Sequence, residues 1–336
     1  MHRKLFPVIA LVLAIVTVFL SFSVGKYELD FVDSYRLLYN RIFGTPFRTT
    51  AEEVIWDMRV PRGLMAAIAG ACLAVGGAVM QSMLQNPLAD PYTTGVSSGA
   101  SLGATIAIVL GISIIPFGGD VSIVANAFAM SLIPATVIVL LSTVKKVTST
   151  VMILIGIGIM YIFSAITQIL KLIATPRQMQ QIYMWQLGSA EFASLDQIFM
   201  VFVVTIACTV LLYHFRHDLN HLLVGDDVAL TMGTNPWRTR IICLVIVSLM
   251  TATCVSFTGT IGFVGLVVPQ IIRVLIGSDN RYLIPSSAAF GAFFLIVADS
   301  LARMVGTTGV PVGVITAVIG SPMFLYLLVK QSRRRV

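Results

Sequence analysis

Residues 241–272 read IICLVIVSLMTATCVSFTGTIGFVGLVVPQII, a stretch without Asp, Glu, Lys or Arg. About 20 helical residues cross the roughly 30 Å hydrocarbon core of a bilayer, so the stretch has more than the length of one membrane span. Its Gly and Pro residues permit broken helical segments, which a membrane tolerates where protein or a water-filled cavity covers the backbone. This stretch therefore predicts helices buried in a membrane.

Four further stretches also lack these charged residues: 63–84, 93–119, 121–144 and 147–170. Hydrophobic residues make up 57% of the 336 positions and charged residues 11%, against about 45–50% and 25% in soluble domains. A soluble fold cannot cover so much apolar surface, whereas a bilayer can. The composition thus predicts an all-α integral membrane protein.

The apolar runs predict about ten transmembrane helices, near 5–25, 63–84, 94–115, 121–143, 149–172, 195–214, 240–257, 261–276, 283–303 and 311–329. The connections at 145–146, 216–240 and 330–335 are basic and fall on one side, which the positive-inside rule assigns to the cytoplasm. Because the number of spans is even, both termini are predicted to be cytoplasmic. The opposite connection at 26–62 is basic as well, so its arginines need another explanation.

The N-terminal apolar run follows His2, Arg3 and Lys4, as a signal peptide would. The run is long and has no Ala-x-Ala cleavage pattern, so it is interpreted as the first span. Residues 1–336 are predicted to form a single transmembrane domain.

Two polar connections carry helical patterns of their own. On a helix over residues 31–42, one face carries the apolar residues Phe31, Tyr35, Leu38 and Ile42, and the charged residues lie elsewhere. This pattern predicts an amphipathic helix at the outer membrane interface. Residues 215–239 predict two short helices separated at Gly225, with Gly233 capping the second.

Several missing signatures count against whole classes of function. Ion-coupled carriers and intramembrane enzymes need ionisable groups at membrane depth, and the charge-free spans offer none. No Gly-x-x-x-x-Gly-Lys-Ser/Thr loop occurs, so the chain does not bind ATP in that way. The four cysteines lie apart in apolar stretches, and neither a metal site, a cofactor nor a catalytic residue is predicted. The net charge of +7 is explained by the positive-inside rule rather than by nucleic acid.

Specific strings then go beyond composition. The segments NPLADPYTTGVSSGASLGA (86–104) and GTIGFVGLVVPQIIRVLIGSDNRYLIPSSAAFGAFFLIVADSLAR (259–303) closely resemble the FecCD family, the permeases of type II ABC importers. Further matching strings are MRVPR (58–62), GACLAVGGAVMQ (70–81), WQLGS (185–189), LLVGDDVALTMG (222–233) and PVGVITAVIGSP (311–322). The resemblance covers nearly the whole chain in the same order.

The resemblance implies a ten-span permease in the cytoplasmic membrane of a prokaryote. Two such subunits, identical or paralogous, pair around a translocation path, two ATPase subunits bind inside, and a substrate-binding protein docks outside. The chain itself is then a non-catalytic permease in contact with membrane lipid. The expected cargo is a ferric siderophore or similar metal chelate, with cobalamin or haem as the alternative. An ion-coupled secondary carrier is a more distant alternative.

The resemblance also implies which residues meet the binding protein. Arg59, Arg62 and Arg303 match the family's docking arginines, and guanidinium groups form bidentate pairs with carboxylates. The alternative is that Arg59 pairs with Asp57 or lipid headgroups, and that Arg303 pairs with Asp299 one helical turn earlier.

By the same resemblance, two segments form cytoplasmic gates. They contain Asn86, Pro87, Leu88, Thr148 and Ser149. The alternative is ordinary local structure, since Asn-Pro is a turn signal and Ser or Thr often caps a helix.

Gln81 and Gln85 lie on one face of a helix and either line the translocation path or form hydrogen bonds between helices. The loop 218–233 matches the coupling helices that insert into the ATPase, with a solvated connector as the alternative. The coupling residues are Leu222, Gly225, Asp226, Asp227 and Gly233. The chain departs from the family at Gln270, where His is common, and at Gly309, where Glu is common.

Overall fold

The computed structural model describes residues 3–25, 27, 30–44, 49–115, 119–144, 148–191, 194–306 and 309–332. Lys145, Lys146 and the basic residues 333–335 lie outside these ranges, and so do Lys26 and Arg48. Within the described ranges all regular structure is helical, which agrees with the predicted all-α class.

The first half of the chain begins with a membrane-length helix and two short ones. Its helices are α1 (Phe6–Ser23), α2 (Phe31–Phe43), α3 (Thr50–Glu53), α4 (Val60–Met83), α5 (Val96–Leu110), α6 (Asp120–Val144), α7 (Ser149–Leu172) and α8 (Pro176–Leu187). A π-helical turn, Val54–Arg59, joins α3 to α4, and a 3-10 turn, Pro91–Thr94, precedes α5. The amphipathic helix predicted at 31–42 is α2.

The second half contains the predicted pair of short helices between two long ones. Its helices are α9 (Leu195–His214), α10 (Arg216–Val224), α11 (Asp226–Thr231), α12 (Pro236–Thr258), α13 (Val264–Ile276), α14 (Asn280–Met304) and α15 (Val312–Ser332). Gly225 separates α10 from α11 with φ 136°, and Gly233, with φ 84°, follows the end of α11. The two helices predicted within 215–239 are therefore present with the predicted glycines at their ends.

Among the described residues, seven helices are long and apolar enough to cross a membrane. They are α1, the continuous helix Thr50–Met83, α6, α7, α9, α12 and α14. The helices α5, α13 and α15 are apolar but shorter. These segments occupy the regions of the predicted spans, while the number that crosses the membrane and the side of each terminus remain predictions.

Helix α4 lies at the centre of the bundle. In its most apolar window 78% of the residues are buried inside the protein, against 17% in α7. A Cβ atom built on Gly70 would overlap the Gly291 carbonyl oxygen of α14, and one built on Gly77 would overlap the Gly265 carbonyl oxygen of α13. Glycine at these positions therefore allows direct contact between helix backbones.

Two buried breaks interrupt the helices. After α4, residues 84–95 turn back into the bundle, and Pro91 packs against Gly76, about two turns before the end of α4. Between α12 and α13, Gly259 and Phe263 both adopt left-handed backbone conformations, with φ 67° and 68°. Consequently α5 and α13 begin later than the spans predicted at 94–115 and 261–276, and α5 also ends earlier, at a left-handed Gly111.

Candidate functional sites at the two ends of the bundle

Helix α4 connects two clusters of charged and polar side chains. The first cluster, at the start of α4, contains the predicted docking arginines and is called the arginine end. The second cluster, at the other end of α4, surrounds the α10–α11 pair and is called the hairpin end. The predicted docking and coupling residues are therefore separated by the length of one membrane span.

At the arginine end, the carboxylate of Asp299 is shared by two arginines. Arg62 of α4 donates from Nε to Oδ1 over 2.9 Å, and Arg303 of α14 donates from Nε to Oδ2 over 2.8 Å and from a terminal nitrogen to the same oxygen. The Asp299 side chain is fully buried, at 0% exposure. The pair between Arg303 and Asp299 that the sequence offered as an alternative is therefore present.

Backbone carbonyls at and just after the end of α1 accept hydrogen bonds from Arg59 and Arg303. Arg303 donates to the carbonyl of Ser21 over 3.1 Å. Arg59 donates to the carbonyls of Phe22, Ser23 and Tyr27 over 2.7–3.2 Å. Cations near a helix C-terminus satisfy its unpaired carbonyls and interact favourably with its dipole. Arg59 thus holds the end of α1 rather than Asp57, the partner that the sequence suggested.

Arg62 also has a contact that faces outward. One of its terminal nitrogens lies 3.5 Å from the Glu191 carboxylate, whose side chain is 40% exposed. The side chains of Arg62 and Arg303 are 11% and 7% exposed. Glu191 was not singled out from the sequence, because the residue lies far from Arg62 along the chain and shares no motif with it.

In the middle of the bundle a single tyrosine connects the two breaks. The Tyr92 hydroxyl donates to the Ile261 carbonyl and accepts from the Ile261 backbone N–H, each over 3.1 Å. The bonds satisfy two backbone groups of the irregular segment, groups that are expensive to leave unpaired inside a protein or a membrane. The two strings with the strongest family resemblance, 86–104 and 259–303, therefore meet here.

Gln81 lies inside the bundle and connects helices. It is 3% exposed, and its amide donates to the carbonyls of Gly265 and Leu266 in α13, each over 3.3 Å. Gln270 in turn donates to the Gln81 side chain over 3.1 Å and to the carbonyl of Pro87 over 3.0 Å. The structure thus agrees with the second of the two roles weighed for Gln81, hydrogen bonding between helices.

The predicted gate residues lie in two separate segments, a turn after α4 and the start of α7. In the first, the Asn86 side chain accepts from the Leu88 backbone N–H over 2.9 Å, and Leu88 is 46% exposed. In the second, Thr148 precedes α7 without a side-chain capping bond, and Ser149 starts the helix. The indole of Trp237, in the first turn of α12, donates to the Ser142 carbonyl over 3.1 Å, which places the end of α6 beside the start of α12.

The α10–α11 pair combines buried anchors with exposed apolar residues. Leu219 and Leu222 are fully buried. Exposed apolar side chains lie nearby, with exposed fractions of 40–67%: Val224, Val228, Leu230 and Met232. Asp227 is exposed at the start of α11. A short helical pair with a fixed base and an apolar outer surface is suited to contact another protein.

Asp226 turns inward and binds a buried arginine of α12. Both terminal nitrogens of Arg240 donate to the Asp226 carboxylate over 2.6 Å, and Arg240 Nε donates to the Met83 carbonyl over 2.8 Å. Gln85 also donates to Asp226, over 3.2 Å. The bonds from Arg240 hold the pKa of the Asp226 carboxyl below its usual range, so the pair is charged at neutral pH.

Comparison with protein families gives a match along most of the chain: the model of the FecCD transport family matches residues 13–330. The cobalamin import system permease protein BtuC of Halobacterium salinarum is 37% identical over 287 residues, which cover 85% of this chain and 75% of that protein. The hemin transport system permease protein HmuU of Yersinia pestis is 33% identical over 298 residues, covering 87% and 89%. The iron(3+)-hydroxamate import system permease protein FhuG of Bacillus subtilis is 32% identical over 333 residues, covering 96% of each.

Comparison with solved structures gives a match of similar extent. A protein described as a metal-chelate type ABC transporter, solved in an inward-facing conformation, superimposes with a TM-score of 0.84. The two chains are 26% identical, and the match covers 98% of this chain and all of the other. The packing described above is thus the packing of a known transporter fold.

Proposed function

We propose, because this chain belongs to the FecCD transport family, that it is the permease subunit of an ATP-driven importer and translocates a metal chelate. The family resemblance and the membrane fold predicted from the sequence are both confirmed. Members of this family are transport proteins rather than catalysts. The cargo, the partners and the roles of single residues belong to the proposal.

The exposed apolar surface of the α10–α11 pair is the observation that supports an ATPase subunit as the energy source. The pair presents exposed apolar side chains at one end of the bundle, while buried leucines fix its base. The chain contains no phosphate-binding loop for ATP, so a separate ATPase subunit would have to supply the energy. In this proposal the ATPase contacts α11, including Asp227. Two permease chains, which are identical or paralogous, pair with each other, and each binds one ATPase subunit.

Arg62 is the best suited of the predicted arginines to bind a substrate-binding protein. Its guanidinium already contacts an exposed carboxylate, Glu191, which a carboxylate of the docking protein could replace. The donors of Arg59 and Arg303 hold the end of α1 and Asp299. In this proposal Arg62 makes the docking contact, and Arg59 and Arg303 support the surface around it.

A ferric siderophore is the proposed cargo, with haem and cobalamin as alternatives. The relatives described above are named for hydroxamate-bound iron, hemin and cobalamin. The proposed location is the cytoplasmic membrane, with the hairpin end inside and the arginine end outside. This orientation places the ATPase contact where ATP is available and the docking contact where chelates arrive.

Uptake in a strain that lacks this chain tests the proposed function. Cells with and without the restored chain would be given radio-iron siderophores, haem and labelled cobalamin. Restored uptake of a ferric siderophore is the expected result. Restored uptake of cobalamin or haem alone would retain the importer and change the cargo, and failure to restore uptake of any of these compounds would contradict the proposal.

The docking contact has its own test in the same strain. Arg62→Ala is expected to reduce uptake strongly while the chain stays in the membrane, because Asp299 keeps its bonds to Arg303. Arg36→Ala is the matched control, since Arg36 is an exposed arginine of α2 in the predicted outer connection. Equal uptake by the two variants would contradict the docking role of Arg62.

A further inference from the structure

The carboxylate of Asp226 connects three elements at the hairpin end. Asp226 is the first residue of α11, and Arg240 belongs to the start of α12. Gln85 lies two residues past the end of α4, in a turn rather than on the helix face predicted from the sequence. Arg240 binds the carboxylate with two nitrogens and the Met83 carbonyl with the third. Each donor atom of this one guanidinium therefore has a partner, and the partners lie in α11 and at the end of α4.

Arg240 suits a rigid connection because of its shape and its burial. The planar guanidinium fixes the direction of its bonds, whereas the single ammonium of lysine cannot make the same fork and the third bond together. The Arg240 side chain is 3% exposed, so it cannot form part of a surface for another protein. Its influence on a partner would have to pass through Asp226.

Gln85 carries the connection to the neighbouring segment of the chain. Its amide donates to the Leu222 carbonyl at the end of α10 as well as to Asp226. Its backbone has φ 52°, a left-handed conformation that costs free energy in a residue with a Cβ atom and persists where surrounding contacts impose it. Gln85 directly precedes Asn86, so this backbone conformation sets the direction in which the 86–88 segment leaves α4.

The opposite side of the 86–88 segment is held by α13. Gln270 donates to the Pro87 carbonyl, and the Asn86 backbone N–H donates to the Gln81 carbonyl in α4. The segment is thus bonded to α13 on one side and, through Gln85, to the α10–α11 pair on the other. A movement of the α10–α11 pair relative to α13 must change the conformation of residues 86–88 or break these bonds.

We infer that Arg240 and Gln85 are positioning residues, which convert a displacement of α11 into a displacement of the 86–88 segment. The inference rests on the proposed function, in which an ATPase moves α11 and residues 86–88 gate the path. It adds the specific connection between the two. The bonds named above form the proposed route, and neither residue needs to touch the ATPase or the cargo.

Cysteine labelling tests this connection without knowledge of the cargo. The transporter would be isolated from native membranes through a tag on this chain, together with the subunits that accompany it. Single reporters, Leu88→Cys in the segment and Leu230→Cys on α11, would be labelled with a maleimide, with and without ATP and vanadate. Both native leucines are exposed, at 46% and 57%, whereas the four native cysteines are buried and give little background.

Arg240→Lys and Arg240→Gln would be compared with Arg238→Gln. Arg238 is an exposed arginine in the same first turns of α12 and loses the same charge. Arg240→Lys keeps the buried positive charge, so the fold should be retained. It removes the combined bonds to the Asp226 carboxylate and the Met83 carbonyl. In the Arg240 variants, ATP and vanadate should still change the labelling rate at Leu230→Cys and should no longer change it at Leu88→Cys.

The possible outcomes separate this inference from the proposed function. Arg238→Gln should respond at both reporters, as the parent does. A response at both reporters in the Arg240 variants, or at neither, would overturn the inference, because Arg240 would then be dispensable or needed for ATPase binding itself. The absence of a response at both reporters in the parent would instead contradict the proposed contact between α11 and an ATPase.

Discussion

The two ends of the bundle each pair an arginine with a carboxylate, but only the arginine end buries both partners. At the arginine end the carboxylate of Asp299 is fully buried and shared by two arginines. At the hairpin end Arg240 is buried at 3% exposure, and its partner Asp226 is 44% exposed. The first arrangement encloses its charge inside the bundle, whereas the second leaves one partner partly exposed on a short helix.

This difference separates a structural ion pair from a movable one. The buried carboxylate between helices α4 and α14 resists separation from its two arginines, because Asp299 would be left as an uncompensated charge in an apolar interior. An exposed carboxylate on α11 can exchange its arginine for water at a smaller cost. We therefore expect the arginine end to stay rigid during transport and the hairpin end to change.

The largest expected effect comes from Asp299→Asn. The substitution leaves Arg62 and Arg303 without a buried counter-charge, which should reduce the free energy of unfolding by about 3–5 kcal/mol. Thermal unfolding of the purified chain in detergent measures the loss. Asp57→Asn, an exposed carboxylate near Arg59, is the control and should have little effect. Equal stabilities of the two variants would contradict the interpretation of the arginine end as a buried ion pair that holds the bundle together.

The next effect is expected at the connection between the two breaks. Tyr92→Phe leaves the Ile261 N–H and C=O without their hydroxyl partner, at a cost of about 1–3 kcal/mol. Tyr183→Phe removes a hydroxyl from a 62% exposed ring and serves as the control. The measurement is again thermal unfolding. An unchanged midpoint for Tyr92→Phe would show that the two breaks are held by packing alone.

Asp226→Asn should destabilise the chain less than Asp299→Asn does. The carboxylate is partly exposed, so water can replace part of its interaction with Arg240, and we expect a loss of about 1 kcal/mol. Unfolding of both variants in one detergent gives the comparison directly. A loss at Asp226 equal to that at Asp299 would mean that the hairpin end is as rigid as the arginine end.

The pH dependence of the same variant gives the smallest effect. The bonds from Arg240 lower the pKa of Asp226 in the folded chain, so the stabilisation is fully present above the unfolded pKa of about 3.9 and is lost as the pH falls through the folded pKa. The difference in stability between the parent and Asp226→Asn should therefore be constant from neutral pH to about pH 4 and shrink below it. Unfolding midpoints measured across this range give the result, and a difference that grows with acid would contradict the assignment.

The sequence predicts the local structure of this chain well. Charge-free stretches locate the long helices, and Gly225 and Gly233 locate the ends of α11. These features depend on residues near one another in the chain, where apolar length and glycine conformation are decisive.

The breaks and the long-range pairs are not predictable in the same way. The chain turns back after α4 because Pro91 fits against Gly76 and because Tyr92 reaches Ile261, contacts that only the folded bundle creates. The contact between Arg62 and Asp299 joins residues 237 positions apart. Arg240 belongs to none of the strings quoted for the family resemblance, and the positive-inside rule already accounts for a basic residue at the start of an apolar run.

The central claim is tested most directly by measuring which energy source, ATP hydrolysis or an ion gradient, drives the uptake. In the strain that lacks this chain, uptake of a rescued chelate would be measured with an inactive ATPase partner, and separately with an uncoupler at constant ATP. The proposed ATP-driven importer predicts that the inactive ATPase abolishes the restored uptake and that the uncoupler does not. Uptake that persists without ATP hydrolysis and collapses with the uncoupler would contradict the account and indicate an ion-coupled carrier.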